Sequence, residues 1–330
     1  MPGGIVVRRA SAAALAVVAL AVAAAGCSGR AGAALGSGRT VELIVGNTAD
    51  PFYATMACGA EHEASKLRVS LVVRGPASFT VPGQLPLVRD AVAARPKALL
   101  IAPTDATHLN GALERVQSAG TKIIFVDTSS ADQSLGLSRI SSDNAAGGRL
   151  AADSLGRMLH GTGTVAVLGM AIGSSTDARV RGFEQEIAAR YPGISLLPEQ
   201  EDIAATPVAA TTFLETDVSA HKNLRGVFAV NTVTAQGAAA ALRHTGDAGK
   251  IKMVTFDAGP AQLGMLQGSV AQLVIAQDPR MEGRDGIEQA VNAMEGRAVT
   301  RSIQTPLVAI GRNDLNVDRS YAYRLSTNGC

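Results

Sequence analysis

"VELIVGNTADPFY", residues 41–53, sets a short apolar run against a polar turn and then against two aromatic rings. The run is β-rich and is followed by Gly46, Asn47, Asp50 and Pro51, so it reads as a buried strand that turns straight into a helix. Seven Phe, four Tyr and no Trp occur in 330 residues. Two of these few rings, Phe52 and Tyr53, therefore stand together at one strand mouth.

The unit recurs along the chain. "VSLVVRG" (69–75), "ALLIAP" (98–103) and "KIIFVD" (122–127) follow, each start roughly 25 to 30 residues after the last, the spacing of βαβ units. Between them "LPLVRDAVAARP" and "HLNGALERVQSAG" carry apolar residues at helical spacing and end in Pro or Gly. A second series, "TVAVLGM" (164–170), "ISLLPE" (194–199), "GVFAVN" (226–231), "KMVTFD" (252–257) and "AQLVIAQ" (271–277), repeats the pattern. Continuous apolar strands are covered by helices on both faces, which predicts two similar Rossmann-like α/β lobes with parallel sheets and a cleft between them. Ligands of such sheets sit beyond the carboxyl ends of the strands. The residues there are Asp50–Tyr53, Pro103–Asp105, Asp127, Gly173–Asp177, Asn231, Asp257 and Gln277, a polar set rich in acids and amides and without a metal cluster.

The first 26 residues have the form of an export signal: Arg8 and Arg9, an uncharged run from Ala10 to Ala25, then small residues before Cys27. "AAGC" (24–27) looks like a lipobox, which predicts lipidation of Cys27 and a Gly/Ala/Ser tether over 27–38. The competing reading is a transmembrane anchor, against which stands the Ala-rich character of the run. Loss of Arg8 and Arg9 lowers the 30 basic residues to 28, equal to the 28 acidic ones, and leaves no basic footprint for nucleic acid. Of the other cysteines, Cys58 and Cys330 are a possible disulfide in an oxidising compartment, or a buried thiol and a free one.

Eight motifs in register carry a resemblance: "NTADPFY" (47–53), "LLIAPTDA" (99–106), "IFVD" (124–127), "ISSDNAAGG" (140–148), "GSSTDARVRGF" (173–183), "VFAVN" (227–231), "VTFDAGP" (254–260) and "VIAQDP" (274–279). Together they resemble the periplasmic binding proteins of the ribose-binding type, the sugar receptors of ABC importers. The resemblance implies a type I fold whose lobes are joined by a three-stranded hinge. It divides the chain into a signal peptide (1–26), a lipid-anchored tether (27–38), an N-terminal lobe (39–143 and 278–305) and a C-terminal lobe (144–277 and 306–330). Phe52 and Tyr53 would lie against the apolar face of a sugar ring. Asp50, Asp127 and Asp257 would accept from hydroxyls, Arg179 would donate to oxygens, and Asn231 and Gln277 would do both. The plain alternatives are a helix-start packing role for the rings and helix N-caps or ion pairs for the carboxylates. A cleft carboxylate supports no core, so Asp257→Ala is expected to affect binding far more than ligand-free stability.

Departures from the ribose binder bear on the ligand. Ala102 stands for an amide, Thr128 for an Arg, Asp50 for a neutral amide and Ile203 for an aromatic, so another monosaccharide or a sugar alcohol is expected. Asp143 and Asn144 are expected to cap a helix at the first lobe crossing. No catalytic or cofactor motif occurs: G-x-S-x-G, G-x-x-x-x-G-K-[ST] and H-E-x-x-H are all missing. "GMAIGSS" (169–175) lacks the Lys of phosphate-binding loops, and the five histidines (62, 108, 160, 221, 244) are scattered. A repressor of the lactose type would need a helix-turn-helix where the export signal lies. The expectation is a monomeric, non-enzymatic binding lipoprotein on the outer face of the membrane, without a cofactor, delivering to an ABC permease or, as the alternative, to a signalling partner.

Overall fold

The computed structural model describes residues 38–170, 173–198, 200, 201, 206–315, 321–324 and 330. Cys27, the stretch expected to be an export signal, nearly all of the expected tether and Ile203 lie outside the described residues.

The first lobe opens with β1 (Thr40–Ile44), α1 (Pro51–Lys66), β2 (Ser70–Arg74), α2 (Val81–Ala94), β3 (Ala98–Ile101), α3 (Asn110–Ser118), β4 (Lys122–Val126) and β5 (Ser138–Ser142). The second comprises α4 (Asn144–Met158), β6 (Gly163–Gly169), α5 (Ser174–Arg190), β7 (Ile194–Leu196), β8 (Gln200–Glu201), α6 (Pro207–Ala220), β9 (Leu224–Ala229), α7 (Thr232–His244), β10 (Lys252–Phe256), α8 (Pro260–Gln267) and β11 (Leu273–Ala276). The chain then returns to the first lobe with α9 (Pro279–Met294) and β12 (Ser302–Thr305), and crosses back with β13 (Val308–Gly311). The sheet orders are β12-β5-β4-β3-β1-β2 and β13-β11-β10-β9-β6-β7, with β8 beside β6. The pairings are parallel apart from β13, which runs antiparallel to β11. This is the two-lobed α/β fold that the repeating strand–helix spacing predicts.

Burial on both faces explains the strand sequences. Val41, Leu43 and Val45 belong to one core with Met56 and Ala60 of α1, while Ile44, Leu99, Ile101 and Phe125 face the other way onto Val88 and Leu113. Glu42 is tolerated in this apolar run because Arg74 Nε donates to its Oε1 at 2.6 Å. In the second lobe Val165, Val167, Phe183, Phe228 and Phe256 form the equivalent layer under α4 and α5. Those two helices cross so closely that a Cβ on Gly148 would strike the Arg179 carbonyl, and one on Gly182 the Ala145 carbonyl. Glycine is required there, and the close crossing fixes the part of α5 that bears Arg179.

The three crossings fall just after Ser142, Ala276 and Thr305. At two of them Ser142 Oγ and Thr305 Oγ1 lie 3.1 and 3.3 Å from Glu282 Oε1 of α9. Glu282 is fully buried, and burial pushes its carboxyl well above the usual carboxylate range. Asp143 caps α4 as expected, accepting from Ala146 N at 2.9 Å. Asn144 instead joins the crossing to the cleft. Its Nδ2 donates to Ser142 O at 3.1 Å, while its Oδ1 accepts from Arg179 Nε at 2.7 Å.

Candidate functional site

In each sheet the strand order reverses beside the first strand of its lobe, between β1 and β3 and between β6 and β9. Loops diverge there and leave a crevice beyond the strand ends. A cavity of about 270 Å³ occupies it, and the N-terminal ends of α1, α5 and α7 meet at its wall. The eight residues given ligand roles all line it: Asp50, Phe52, Tyr53 and Asp127 from the first lobe, Arg179, Asn231, Asp257 and Gln277 from the second or its crossing; of the other strand-end residues, Gly173, Ser175 and Thr176 line it and Pro103–Asp105 do not.

The two lobes present their carboxylates in the same way. Asp127 follows β4 and Asp257 follows β10, both with left-handed backbone (φ 60° and 73°). Each donates its own N–H to the neighbouring strand, Asp127 to Ile140 O at 2.8 Å and Asp257 to Ile275 O at 2.9 Å. Non-glycine residues in this conformation store strain, which gathers at functional sites. Asp127 Oδ2 accepts from the Tyr53 hydroxyl at 2.7 Å. Asp257 is more heavily engaged. Its Oδ2 takes Thr232 N at 3.1 Å and Thr232 Oγ1 at 3.2 Å, and its Oδ1 takes Gln277 Nε2 at 2.7 Å. Thr232 opens α7, so Asp257 supports that helix as well as facing the cavity. The premise that this cleft carboxylate supports no other part of the fold, from which ligand-free stability was expected to move far less than binding, is corrected by these bonds.

Capping and cavity-lining coincide elsewhere too. Asp50 caps α1 by accepting from Phe52 N at 2.9 Å, and Asn231 caps α7 by accepting from Thr234 N at 2.9 Å. Asn231 Nδ2 lies against the Met170 sulfur. Phe52 and Tyr53 are about 95% buried and pack edge to face, ring centres 5.1 Å apart, so the packing role and the lining role are held by the same rings. Arg179 is 2% exposed, stacks 4.1 Å over Phe256, and gives Nε to Asn144 and Nη1 to Val230 O at 2.8 Å. Among the described residues these bonds leave its Nη2 over.

Three carboxylates thus share a cavity with one guanidinium. Burial, with Asp257 nearby and Asp127 adding, pushes the Asp50 carboxyl up to about 7 against the pull of the Phe52 N–H and Arg179. Burial likewise pushes Asp127 up to about 6, with the Tyr53 hydroxyl and Arg179 opposing and Asp257 adding. Near neutral pH these groups are poised between donating and accepting. Gln277 lines the cavity, and its Oε1 is buried with no hydrogen-bond partner among the described residues.

Some lining residues were not singled out from the sequence: Asn47, Phe79, Thr80, Met170 and Thr206 among them. Phe79 carried a signal, since it is another of the few rings and stands in a Gly/Pro/Ser loop directly after an apolar strand. Two of the departures do not line the cavity. Ala102 is fully buried in the first-lobe core, and Thr128 turns its hydroxyl onto Pro103 O at 2.8 Å. Cys58 and Cys330 come together with Cα atoms 5.2 Å apart, in disulfide pairing. Arg324 and Cys330 therefore contact α1, so the end of the segment 306–330 does not stay with the second lobe as expected.

Residues 41–298 match the periplasmic binding protein domain. The chain belongs to that family. The ribose import binding protein of Escherichia coli (strain K12) is 29% identical over 262 residues, 79% of this chain and 86% of that protein. A solved ABC transporter solute binding protein from Agrobacterium vitis, bound with α-D-tagatopyranose, is 32% identical with a TM-score of 0.83, covering 87% of this chain and 99% of its own. A carbohydrate transporter solute binding protein from Agrobacterium radiobacter, in complex with D-arabinose, is 25% identical with a TM-score of 0.81 over 87% and 98% of the two chains. Among the described residues of this family member no helix is long and apolar enough to cross a membrane.

Proposed function

We propose that this protein is an exported substrate-binding lipoprotein that captures one monosaccharide or sugar alcohol between its lobes and delivers it to an ABC permease. The observation that carries the proposal is the cavity itself, lined from both lobes by the three carboxylates, two amides, a guanidinium and paired rings, in a chain of the periplasmic binding protein family. Its volume of about 270 Å³ lies at the lower end of small-molecule pockets, which suits a single sugar ring rather than an oligosaccharide. Relatives of similar length are named for ribose import or hold tagatose or arabinose.

In this reading the ring of Phe52 meets the C–H face of the ligand. Asp50, Asp127, Asn231, Asp257 and Gln277 bond its hydroxyls, and Arg179 Nη2 donates to an oxygen. Because donors and acceptors come from both lobes, the ligand favours the closed arrangement and shifts the population toward it. Cys27, freed by cleavage after residue 26, would carry the lipid that holds the protein at the outer face of the membrane. A thermal-shift screen of the chain from Cys27 onward tests the function. D-Ribose, D-allose, D-tagatose, D-arabinose and the common pentitols and hexitols form the panel, with nucleotides and dipeptides as controls. A sugar or polyol that raises Tm is expected; a response confined to the controls would reject the reading.

A further inference from the structure

After β13 the chain does not end in the second lobe. Tyr323 N donates to Ala258 O, just after β10, at 3.0 Å. The next residue, Arg324, donates its N–H to Thr55 Oγ1 in the first turns of α1 at 2.7 Å. Two adjacent residues are therefore bonded to opposite lobes. Beyond them, Cys330 pairs with Cys58 on the same helix, 272 positions away in sequence.

The side chain between these anchors is buried behind the cavity. Tyr323 is 5% exposed, and its hydroxyl accepts the Gln277 N–H at 3.0 Å and reaches Asp257 Oδ1 at 3.4 Å. Its ring stands edge-on to Phe52, centres 5.8 Å apart. Tyr323 thus touches three cavity-lining residues, one of them in the first lobe, without lining the cavity itself. Loss of its hydroxyl would leave the buried Gln277 N–H without an acceptor and loosen the pair that Gln277 Nε2 makes with Asp257.

We infer that the C-terminal end is a fourth connection between the lobes, in which Tyr323 is a positioning residue for Gln277, Asp257 and Phe52 and the Cys58–Cys330 pair is its clasp. The inference rests on the cleft being the ligand site. Three crossings leave a hinge free to open; a link bonded to both lobes beside the ligand residues opposes that opening and favours the closed population. In an exported, oxidising setting the clasp persists, and a reductant releases it.

Two readouts test this. With D-tagatose as the probe, the dissociation rate is followed by tyrosine emission, which the lack of Trp makes readable and which Tyr53 still supplies in the variants. Reduction of the wild type, Cys330→Ser and Tyr323→Phe are each expected to raise that rate about fivefold, the equivalent of one hydrogen bond of about 1 kcal/mol. Association is expected to change little, and Cys330→Ser should no longer respond to reductant. The two substitutions combined should cost less than the product of their separate effects, because both release one device. A purely structural role would lower Tm and leave the dissociation rate alone, and that result overturns the inference. If D-tagatose does not bind, the ligand-free protein still decides: reduction and Tyr323→Phe should each speed hydrogen exchange at the Gln277 amide and raise the radius of gyration by small-angle scattering. Unchanged exchange and radius in both overturn the inference whichever sugar the cleft takes.

Discussion

Asp257→Ala perturbs two functions at once, and the structure apportions them. In the ligand-free protein the carboxylate accepts from Thr232 N, Thr232 Oγ1 and Gln277 Nε2, all buried. The Thr232 hydroxyl can turn elsewhere, whereas the other two donors lose their partner. A buried donor left unsatisfied costs about 1–3 kcal/mol, and water entering the space left by the side chain recovers part of this. The expected loss is about 3 kcal/mol of ligand-free stability, or roughly 5–10 °C in Tm for a chain of this size. Binding loses a further charged hydrogen bond of about 1.5–3 kcal/mol, which is about 10- to 150-fold in affinity. Differential scanning calorimetry of the ligand-free variant measures the first quantity and calorimetric titration with the best sugar from the screen the second. A ligand-free Tm within about 1 °C of wild type would show that Asp257 does not hold the start of α7, and an unchanged affinity would remove it from the ligand site.

Other outcomes follow from the same contacts. Asp50 and Asp127 bind their protons more tightly folded than unfolded, so ligand-free stability should fall as pH rises from about 4 through 7 and stay low above it. Asp50→Asn keeps the cap and removes the more strongly shifted carboxyl, so Tm measured at about pH 5 and about pH 8 should differ less than in wild type; an unaltered difference contradicts the assignment. Glu282→Gln keeps an acceptor for Ser142 and Thr305 and should leave Tm at about pH 8 equal or higher, whereas Glu282→Ala should lower stability by about 2 kcal/mol or more through the void at the crossings. Phe52→Ala, at a ring 4% exposed, should cost about 3 kcal/mol of stability by chemical denaturation and weaken sugar binding in the same protein. Cys27→Ser should move the protein from the membrane to the soluble fraction, and retention in the membrane after processing would favour a spanning anchor.

Much of the site could be read from the sequence because it is built where strands end. Runs such as "KIIFVD" and "KMVTFD" display their last residue as the one polar group after a buried series, and Asp127 and Asp257 are found that way. What those runs do not display is that Asp257 also holds α7, since its partner Thr232 lies on another unit 25 positions earlier. The hinge strands were harder to see. β5 ("SRISS") and β12 ("SIQT") are short and polar, and β12 is partly exposed, so they lack the apolar signature of the other strands. Tyr323 had no local signal at all: its place is set by bonds to Ala258 and Gln277, and by its neighbour's bond to Thr55, 269 positions from Arg324. Such contacts are made by the closed chain, and no window of residues contains them.

The claim that both lobes grip one small polyhydroxylated ligand is tested most directly by calorimetric titration of wild type and two conservative variants, one per lobe. Asp127→Asn keeps an acceptor for the Tyr53 hydroxyl and removes the charge; Asn231→Asp keeps the α7 cap and removes the amide donor. One sugar or polyol per chain is predicted for wild type, with affinity reduced at least about tenfold in Asp127→Asn, the value of a lost charged hydrogen bond, and at least about fivefold in Asn231→Asp, the value of a lost neutral one. A ligand that binds one to one with the same affinity in all three proteins would contradict the account.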